Sequence, residues 1–420
     1  SRKGRLSNER ASDTIRRAGS HCSLDSFVIH LQMIQQRINT QENKTSNVED
    51  EIPKGKLRTG FTTGTCATAG AKASILAIKT LKKIEYIDVT LPKKSQIRIK
   101  IEKCIFDSKS ATCSVIKDGG DDPDVTHGAE IITNISLTQK QGEIEIDGAD
   151  GVGRVTKPGL GLEIGSAAIN PTPKKMIKEN ILEVAKDLLT KNGIKVTISV
   201  PKGKELAIKT DNPRLGIIGG ISILGTSGIV IPYSTASFAA SIRQSIDVTL
   251  AMGNDTVVLT TGGRSEDFSR KIINLPDHCF VQMGDFSGYT VQQCAKKGIK
   301  MAHVAGFIGK LTKMGMGVKQ THVKGSKVDM EFLADLAIKC KAQEDVIKQI
   351  RDANTARHVF EIINERKVPG FFDLVCSEVA NQLGKHSENK FKIEVIMFDF
   401  DGNVVGTFPK SNKYLESIKN

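Results

Sequence analysis

Apolar positions follow two different rhythms along this chain of 420 residues. Between Leu57 and Ile231, helical segments mix with segments in which apolar and polar residues alternate. From Pro232 onward, short apolar segments alternate regularly with helical ones. Helices repeat apolar positions every three to four residues and strands every two, and a strand–helix–strand order favours a parallel sheet with right-handed crossovers. The pattern therefore predicts an α+β region followed by an α/β region.

The individual elements follow from this periodicity and from proline, glycine and asparagine as punctuation. In the first region we predict helices over residues 66–82 and 173–191, and strands over 87–92, 96–103, 113–117, 131–137 and 195–200. In the second we predict helices over 234–252 and 288–297, strands over 256–260, 280–283 and 299–305, further helices over 330–383, and a hairpin over 391–408 that turns at Asp401 and Gly402.

Four segments result from this pattern. Residues 1–56 form a polar extension, in which residues 27–38 are apolar enough for one short helix. Residues 57–231 form the α+β domain, residues 232–385 form the α/β domain, and residues 386–420 hold the hairpin and a tail. We expect the extension to be disordered and assign it no chemistry.

Composition narrows the class of protein. The chain has 60 Lys and Arg against 47 Asp and Glu, a net charge of +13, with no Trp and four Tyr. A basic surface attracts polyanions, but aromatics for base stacking are scarce, so we expect an acidic small molecule rather than nucleic acid. Eight cysteines without C-x-x-C spacing fit a reducing cytoplasm. No apolar run approaches eighteen residues and no signal-peptide pattern is present, so neither a membrane span nor secretion is expected.

Three glycine-containing loops follow the strands of the α/β region, at residues 260–266, 284–287 and 306–310. Ligands of open parallel sheets bind beyond the carboxyl ends of the strands, so these loops together predict a cofactor crevice, whereas any one alone is an ordinary turn. Neither G-x-G-x-x-G nor a P-loop occurs. In the first loop, Glu266 is read either as an acceptor for ribose hydroxyls or as a solvated helix-start residue.

Two segments of the α+β region also carry candidate chemistry. The turn from Thr59 to Thr65 feeds an alanine-rich helix with Thr65 as its predicted N-cap, and is read either as an anion site or as a well-capped helix start. Residues 117–128, KDGGDDPDVTHG, are dense in carboxylates that repel one another unless something offsets them. We place this segment in the active site rather than in a metal site, with a structural turn as the alternative.

Two further candidates lie near the carboxyl end of the chain. His322 precedes a predicted helix, and histidine is the side chain that titrates near neutrality, so it is read as a base or as a structural residue. The Asp399-Phe-Asp401-Gly402 run resembles a phosphatase aspartate pair. Too little chain follows it for that fold, so we assign it to the hairpin turn.

Seven segments together resemble one family, the cobalt-precorrin-5B C1-methyltransferases of anaerobic cobalamin biosynthesis. They recur in order over roughly residues 57–405 and read LRTGFTTGTCATAGAKA, VIKDGGDDPDVTHGAEI, GADGVGRVTKPGLGLEIGSAAINPTPKKMI, KTDNPRLGIIGGISILGTSGIVIP, VVLTTGGRSE, FVQMGDFSGY and THVKGSKVDMEFLADLA. The resemblance implies an α+β domain followed by a Rossmann-like three-layer domain. It also implies methyl transfer from S-adenosylmethionine to carbon 1 of cobalt-precorrin-5B, giving cobalt-precorrin-6A, with the cobalt belonging to the substrate.

On this resemblance we predict the site residues by loop position and residue type. The methyl donor is expected at Thr261, Gly262, Gly263, Glu266, Gly284 and Asp285, with Asp285 and His322 as the acid–base groups. The tetrapyrrole carboxylates are expected at Thr59, Thr62, Thr63, Thr65, Lys117, Asp118, Asp121, Asp122, His127, Arg154, Lys157 and Arg214. No protein-bound metal is expected. The competing interpretation is a non-catalytic tetrapyrrole carrier or scaffold. Binding to other enzymes of the pathway and formation of a homodimer are both left open.

Overall fold

The computed structural model is a mixed α/β structure that describes residues 57–322 and 326–411. The predicted extension over residues 1–56, with its short helix at 27–38, lies outside the described residues. The strands are β1 (Gly60–Phe61), β2 (Tyr86–Thr90), β3 (Gln96–Lys100), β4 (Lys103–Phe106), β5 (Ser110–Ile116), β6 (Glu130–Thr138), β7 (Ile144–Gly148), β8 (Gly151–Val152), β9 (Arg154–Val155), β10 (Gly193–Ser199), β11 (Ile217–Ile218), β12 (Gly220–Ile221), β13 (Ile229–Val230), β14 (Thr256–Thr260), β15 (Phe280–Gln282), β16 (Met301–Phe307), β17 (Lys392–Phe398) and β18 (Val404–Phe408).

Helices connect these strands and cover the sheets. They are α1 (Thr63–Thr80), α2 (Pro171–Leu189), α3 (Gly203–Ala207), α4 (Asn212–Leu215), α5 (Thr235–Ala251), α6 (Gly263–Ile272), α7 (Ser287–Lys297), α8 (Ile308–Gly315), α9 (Met330–Lys339), α10 (Glu344–Arg351), α11 (Ala356–Arg366) and α12 (Phe371–His386). The long predicted elements are confirmed to within a few residues. The structure ends the predicted strand over residues 96–103 at Lys100, and it adds elements that were not predicted: strands β4 and β7, helices α6 and α8, and the two-residue strands and short helices of the first region. Helix α6 has only two large apolar residues, Phe268 and Ile272, and each of the other added elements has eight residues or fewer.

The first five-stranded sheet has the order β4-β5-β6-β10-β7, antiparallel except for the β10–β7 pair. Every second residue of the first part of β6 is buried, as expected for a sheet with one covered face. Helix α1 packs closely on this face because its residues are small. A side chain at Gly70 would overlap Thr133 of β6, and one at Gly64 would overlap Pro173 of α2.

Helix α1 begins earlier than the sequence predicted. The N-cap is Thr62 rather than Thr65, since Thr62 has an extended backbone and its hydroxyl accepts a hydrogen bond from the Thr65 N–H. The residues 63–65 therefore belong to the first turn of the helix. Either threonine fits the N-cap preference, so the residue type alone did not distinguish the two.

The second five-stranded sheet has the order β15-β14-β16-β17-β18. The first four strands are parallel, and β18 is antiparallel to β17. Both faces are covered: Val257 and Leu259 of β14 belong to the large apolar cluster, and Val258 belongs to a smaller cluster with Phe268 of α6. Burial on both faces explains why these strands read as continuous apolar runs.

The predicted hairpin near the carboxyl end is confirmed. The Asp399 carboxylate accepts hydrogen bonds from the backbone N–H groups of Asp401 and Asn403, and Gly402 has a φ of +95°. Aspartate and glycine thus shape the turn, as predicted for this run. Because β17 pairs with β16, the hairpin completes the second sheet. The predicted domain boundaries at residues 231 and 385 stay predictions.

Candidate functional site

Three neighbouring parallel strands end at one edge of the second sheet, and each is followed by a glycine-containing segment. Thr261 and Gly262 lie between β14 and α6, Gly284 and Asp285 lie between β15 and α7, and β16 leads directly into α8, which carries Lys310. Because β14 is parallel to both β15 and β16, all three segments meet at the same edge. The structure thus brings together the three loops selected from the sequence.

The backbone is open at several points along this edge. A Cβ atom added at Gly262, Gly263 or Gly309 would meet no atom of the described residues within 4 Å. Helix α6 begins here with Gly262 as its N-cap, and no side chain caps it. Its first N–H groups are therefore available to an acceptor, and helix N-termini favour negative groups.

Lys310 links the strand-end loops to one another. Its Nζ donates to the Thr261 carbonyl at 3.0 Å and lies 3.1 Å from Asp285 Oδ1. The same Oδ1 accepts from the Thr321 hydroxyl at 3.0 Å, and the Asp285 carbonyl accepts from the Thr321 N–H at 2.9 Å. The segment that leads to His322 is thereby fastened to the loop after β15. His322 itself is exposed. Because its neighbour Thr321 binds Asp285, the two predicted acid–base residues lie on segments that contact each other.

An aromatic pair stands beside this edge. Phe238, in the first turns of α5, stacks on Phe286 with ring centroids 5.1 Å apart. A Cβ added at Gly284, which has a φ of +54°, would lie 3.0 Å from the Phe238 ring. Phe238 is 38% exposed, and it is the one phenylalanine classed as exposed among residues 57–322 and 326–411. It offers an apolar ring face to a ligand at the strand ends.

Glu266 lies beneath this edge rather than on its surface. It is 4% exposed, and its carboxylate accepts two hydrogen bonds from Arg214, at 2.9 and 3.1 Å, and two from Arg270, at 2.9 and 3.1 Å. Arg214 belongs to α4 of the first region, so the two predicted ligand contacts bind each other. Their predicted ligand roles stay predictions, since any ligand would share a carboxylate and a guanidinium that are already paired.

The carboxylate-rich segment of the first region folds around the chain near Arg58. The Arg58 guanidinium donates to the Asp118 carboxylate, and its backbone N–H donates to Asp121 at 2.6 Å. Asp122 accepts from the Tyr233 N–H at 2.8 Å. The hydrogen bond from Arg58 is the main cause that holds the pKa of Asp118 below its ordinary value. Each carboxylate has its own donor, which explains how four aspartates tolerate one another.

His127 also belongs to this segment. Its Nδ1 accepts from the Gly119 N–H at 3.0 Å and lies 3.8 Å from Asp118 Oδ1. The ring is thus oriented by the backbone, and its exposed edge faces the same solvent as Asp118. The predicted substrate contacts of His127, Asp118, Asp121 and Asp122 stay predictions.

Lys117 is buried below the segment. It is 2% exposed, and its ammonium pairs with the Asp124 carboxylate, which also accepts from Thr126. Although burial raises the pKa of Asp124, the hydrogen bonds from Lys117 and Thr126 hold it below its ordinary value. Burial also raises the pKa of the nearby Cys66 thiol to about 12. The position of Lys117 favours a structural role, and its predicted contact with substrate carboxylates stays a prediction.

Three of the four predicted threonine ligands are also buried and bonded within the chain. The Thr65 hydroxyl donates to the Gly228 carbonyl at 2.6 Å, the Thr63 hydroxyl donates to the Ser222 carbonyl at 3.1 Å, and Thr62 caps α1. Thr59 is exposed. The turn is therefore a well-capped helix start, and of its hydroxyls the exposed one suits an added ligand best.

The remaining basic candidates are tied to neighbours as well. Arg154 donates to both oxygens of Asp147, at 2.9 and 3.1 Å. Lys157 donates to the Arg214 carbonyl at 3.2 Å. Sequence reasoning missed Arg58, Arg270, Tyr233 and Phe238 as members of these contacts. Phe238 alone carried a signal: an aromatic residue in the first turns of a helix that leads into the parallel sheet.

The described residues offer neither a cluster of metal ligands nor a membrane-spanning helix. No group of three or more His, Cys, Asp or Glu side chains there is arranged to hold a metal ion. No helix in residues 57–322 and 326–411 is both long and apolar enough to span a membrane.

Comparison with known proteins gives consistent matches along the chain. The CbiD family profile matches residues 50–232, and the profile of the CbiD C-terminal domain matches residues 320–408. A protein from Leptospira interrogans named cobalt-precorrin-5B C(1)-methyltransferase is 48% identical over 355 residues, which cover 84% of this chain and 95% of that protein. A protein of the same name from Geobacillus kaustophilus is 47% identical, over 77% of this chain and 87% of its own length.

One solved structure also matches. It is the crystal structure of a cobalamin biosynthesis protein (cbiD) from Archaeoglobus fulgidus, which is 26% identical and covers 74% of this chain and 85% of its own. The TM-score is 0.33, so this likeness carries no argument about the fold.

Proposed function

Since this chain belongs to the CbiD family, we propose that it transfers a methyl group from S-adenosylmethionine to carbon 1 of cobalt-precorrin-5B, giving cobalt-precorrin-6A in the cytoplasm. The observation that carries the proposal is the 48% identity to a C(1)-methyltransferase over 84% of this chain and 95% of that relative. The aligned 355 residues include almost the whole of that relative, so the likeness is not confined to one segment of it. The substrate brings its own cobalt, so the protein needs no metal site for this reaction.

We propose that the second sheet is Rossmann-like and that the methyl donor binds at its strand ends. The open backbone at Gly262 and Gly263, the uncapped start of α6 and the partly exposed Asp285 support this location, together with Thr261 and Gly284 in the same loops. Glu266 supports the loop from below. The residues present thus offer N–H donors, an ammonium and a carboxylate, which suit a nucleoside with an amino-acid end.

The tetrapyrrole is proposed to lie along the segment from β13 to the start of α5. At one end of this segment, the Tyr233 N–H binds Asp122, and at the other end Phe238 lies over Gly284. Two apolar side chains of this segment, Ile231 and Phe238, are exposed. A flat, partly apolar macrocycle would rest on this segment. Its carboxylates would be met by Thr59, Arg58 and His127 and by the general excess of positive charge.

The residues then act mainly by positioning. When bound, S-adenosylmethionine supplies an electrophilic methyl group on a sulfonium. The strand-end loops hold the donor while the 231–238 segment holds the acceptor carbon in line, and such alignment supplies on the order of 7–11 kcal/mol of a barrier. Of the two predicted acid–base residues, His322 is the one proposed to take a proton from the methylated macrocycle, and Asp285 is proposed to hold the methyl donor.

The direct test is methyl transfer by the purified chain. Incubation with methyl-labelled S-adenosylmethionine and cobalt-precorrin-5B should produce a labelled corrinoid and one equivalent of S-adenosylhomocysteine, both measured by mass spectrometry. Binding of the corrinoid without label transfer would instead favour the tetrapyrrole-carrier interpretation. Tight, salt-sensitive binding of generic DNA or RNA would favour a nucleic-acid-binding protein.

A further inference from the structure

Lys310 occupies a distinctive position at the strand-end edge. It stands in the first turn of α8 and contacts both preceding loops, through the Thr261 carbonyl at 3.0 Å and Asp285 Oδ1 at 3.1 Å. Its side chain is nevertheless 39% exposed. A side chain that is only partly buried stays accessible to a molecule bound at this edge, whereas a fully buried brace does not.

Lys310 and Asp285 leave some of their hydrogen-bonding groups without a partner among the described residues. An ammonium has three N–H donors. Within residues 57–322 and 326–411, the Lys310 ammonium contacts two acceptors, the Thr261 carbonyl and Asp285 Oδ1. On Asp285, Oδ1 takes the contacts from Lys310 and Thr321, while Oδ2 takes none from the described residues. One donor and one acceptor of opposite charge therefore remain side by side, next to the open backbone at Gly309 and Gly262.

A pair with this arrangement complements a zwitterion. An α-amino acid carries a carboxylate and an ammonium on one carbon atom, so its carboxylate suits the remaining donor of Lys310 and its ammonium suits the remaining oxygen of Asp285. The methyl donor proposed above ends in such an amino-acid group. The adenosine part lacks these charges and has no need of this pair.

We propose that Lys310 and Asp285 bind the amino-acid end of the methyl donor, with Lys310 holding its carboxylate. This inference rests on the proposed function and adds a residue, Lys310, and an orientation to it. The amino-acid end then points toward α8 and the adenosine toward the open glycines at the start of α6. Asp285 acts as a binding residue, and proton transfer falls to His322.

The test compares two ligands that differ in the amino-acid end. S-adenosylhomocysteine has it, and 5′-methylthioadenosine has the adenosine and thioether without it. Both are titrated calorimetrically into the full chain and into Lys310→Met, Lys310→Arg, Asp285→Asn and the control Lys300→Met. Lys300 is an exposed lysine just before β16, at the opposite end of the same strand.

The unaltered chain should bind S-adenosylhomocysteine more tightly than 5′-methylthioadenosine. Lys310→Met should weaken the first ligand about ten- to a hundred-fold, the usual effect of losing a charge-assisted hydrogen bond, and leave the second within about two-fold. Lys310→Arg should retain most of the affinity, and Asp285→Asn should weaken S-adenosylhomocysteine selectively. Lys300→Met should change neither ligand.

Three results would overturn the inference while keeping the proposed function. The first is equal affinity of the unaltered chain for both ligands, and the second is an unchanged affinity of Lys310→Met for S-adenosylhomocysteine. The third is an equal loss of affinity for both ligands in Lys310→Met, which would mean that Lys310 only braces the loops. The two-ligand comparison in the unaltered chain does not depend on the folding of any variant. If the unaltered chain binds neither ligand, with or without a corrinoid present, the proposed methyl donor is wrong and the inference falls with it.

Discussion

The turn before α1 and the strand-end loops of the second sheet look alike in sequence but differ in structure. The turn and the loop after β14 are both rich in glycine and threonine, and the segments after β15 and β16 also contain glycine. In the turn, a side chain at Gly60 would overlap the backbone at Gly119, and in the loops a side chain at Gly262 would meet nothing among the described residues. Glycine permits close backbone packing in the first region and leaves an open backbone surface in the second.

Two lysine–aspartate pairs show the same contrast in charged groups. The two lysines differ most: Lys117 is buried, with 2% of its side chain exposed, whereas 39% of the Lys310 side chain is exposed. The two aspartates are both partly buried, with 19% of Asp124 and 23% of Asp285 exposed. Removing the partner of a buried charge leaves that charge uncompensated and destabilises the fold, whereas a partly exposed pair beside open backbone can bind a ligand. Substitutions in the first region should therefore change stability, and those in the second should change binding and turnover.

The largest expected effect belongs to the proposed proton acceptor. His322→Ala should lower turnover by about 10²–10⁴-fold, the usual contribution of general acid–base catalysis, with little change in the free energy of unfolding because His322 is exposed. Asp285→Asn should mainly raise the KM for the methyl donor. The measurement is initial-rate kinetics with each substrate varied. If the turnover of His322→Ala stays within a few-fold of that of the unaltered enzyme, the acid–base assignment of His322 is wrong.

The second largest effect concerns stability, in which substitutions of Asp124 and Asp285 should differ. Asp124→Asn leaves the buried Lys117 ammonium without a counter-charge and should lower the free energy of unfolding by about 3 kcal/mol. Asp285→Asn should lower it by about 1 kcal/mol or less. Chemical denaturation of both variants gives the comparison. An equal loss in the two would remove the distinction between a structural pair and a binding pair.

The partly buried carboxylate of Asp124 also predicts a pH dependence of stability. The pKa of Asp124 lies below its ordinary value because the hydrogen bonds from Lys117 and Thr126 outweigh burial. A folded-state pKa below the unfolded value, about 3.9, means that the ionised carboxylate stabilises the fold above about pH 4, and that this stabilisation is lost as the pH falls through the folded pKa. The stability difference between the unaltered chain and Asp124→Asn should therefore be steady from about pH 5 to 8 and narrow on further acidification. A difference that widens in acid would contradict this.

Sequence reasoning worked where a signal is local. The short apolar runs of β14 and β16 and the Asp–Gly turn at residues 401–402 depend on near neighbours, and they predicted the strands and the hairpin. The pairing of Arg214 with Glu266 and of Asp122 with Tyr233 joins residues far apart in the chain. No spacing in the sequence reveals such pairs, so residues predicted to meet ligands proved to bind other residues of the chain.

Substitution of Gly60 and of Gly262 should have smaller effects, on stability at the first position and on ligand affinity at the second. Gly60→Ala should cost about 1–3 kcal/mol of stability, typical of forcing an extra carbon into a filled site. Gly262→Ala should leave stability unchanged, because its φ of 162° is extended backbone that any residue adopts, and should weaken S-adenosylhomocysteine several-fold by narrowing the open edge. Thermal unfolding and calorimetric titration of both variants measure the two effects. The reverse pattern would mean that the turn, rather than the loop, faces the methyl donor.

The smallest expected effect tests where the macrocycle rests. Phe238→Ala removes the exposed ring that stacks on Phe286, and an aromatic contact of this kind contributes about 0.5–1.5 kcal/mol. The KM for the corrinoid should therefore rise about two- to ten-fold, while kcat and the KM for S-adenosylmethionine stay constant. Tyr86→Ala, which removes an exposed ring from β2 in the first region, is the matched control and should change neither constant. A rise in the KM for the methyl donor instead would assign the ring to the adenine, and would place the macrocycle nearer to Arg58 and His127.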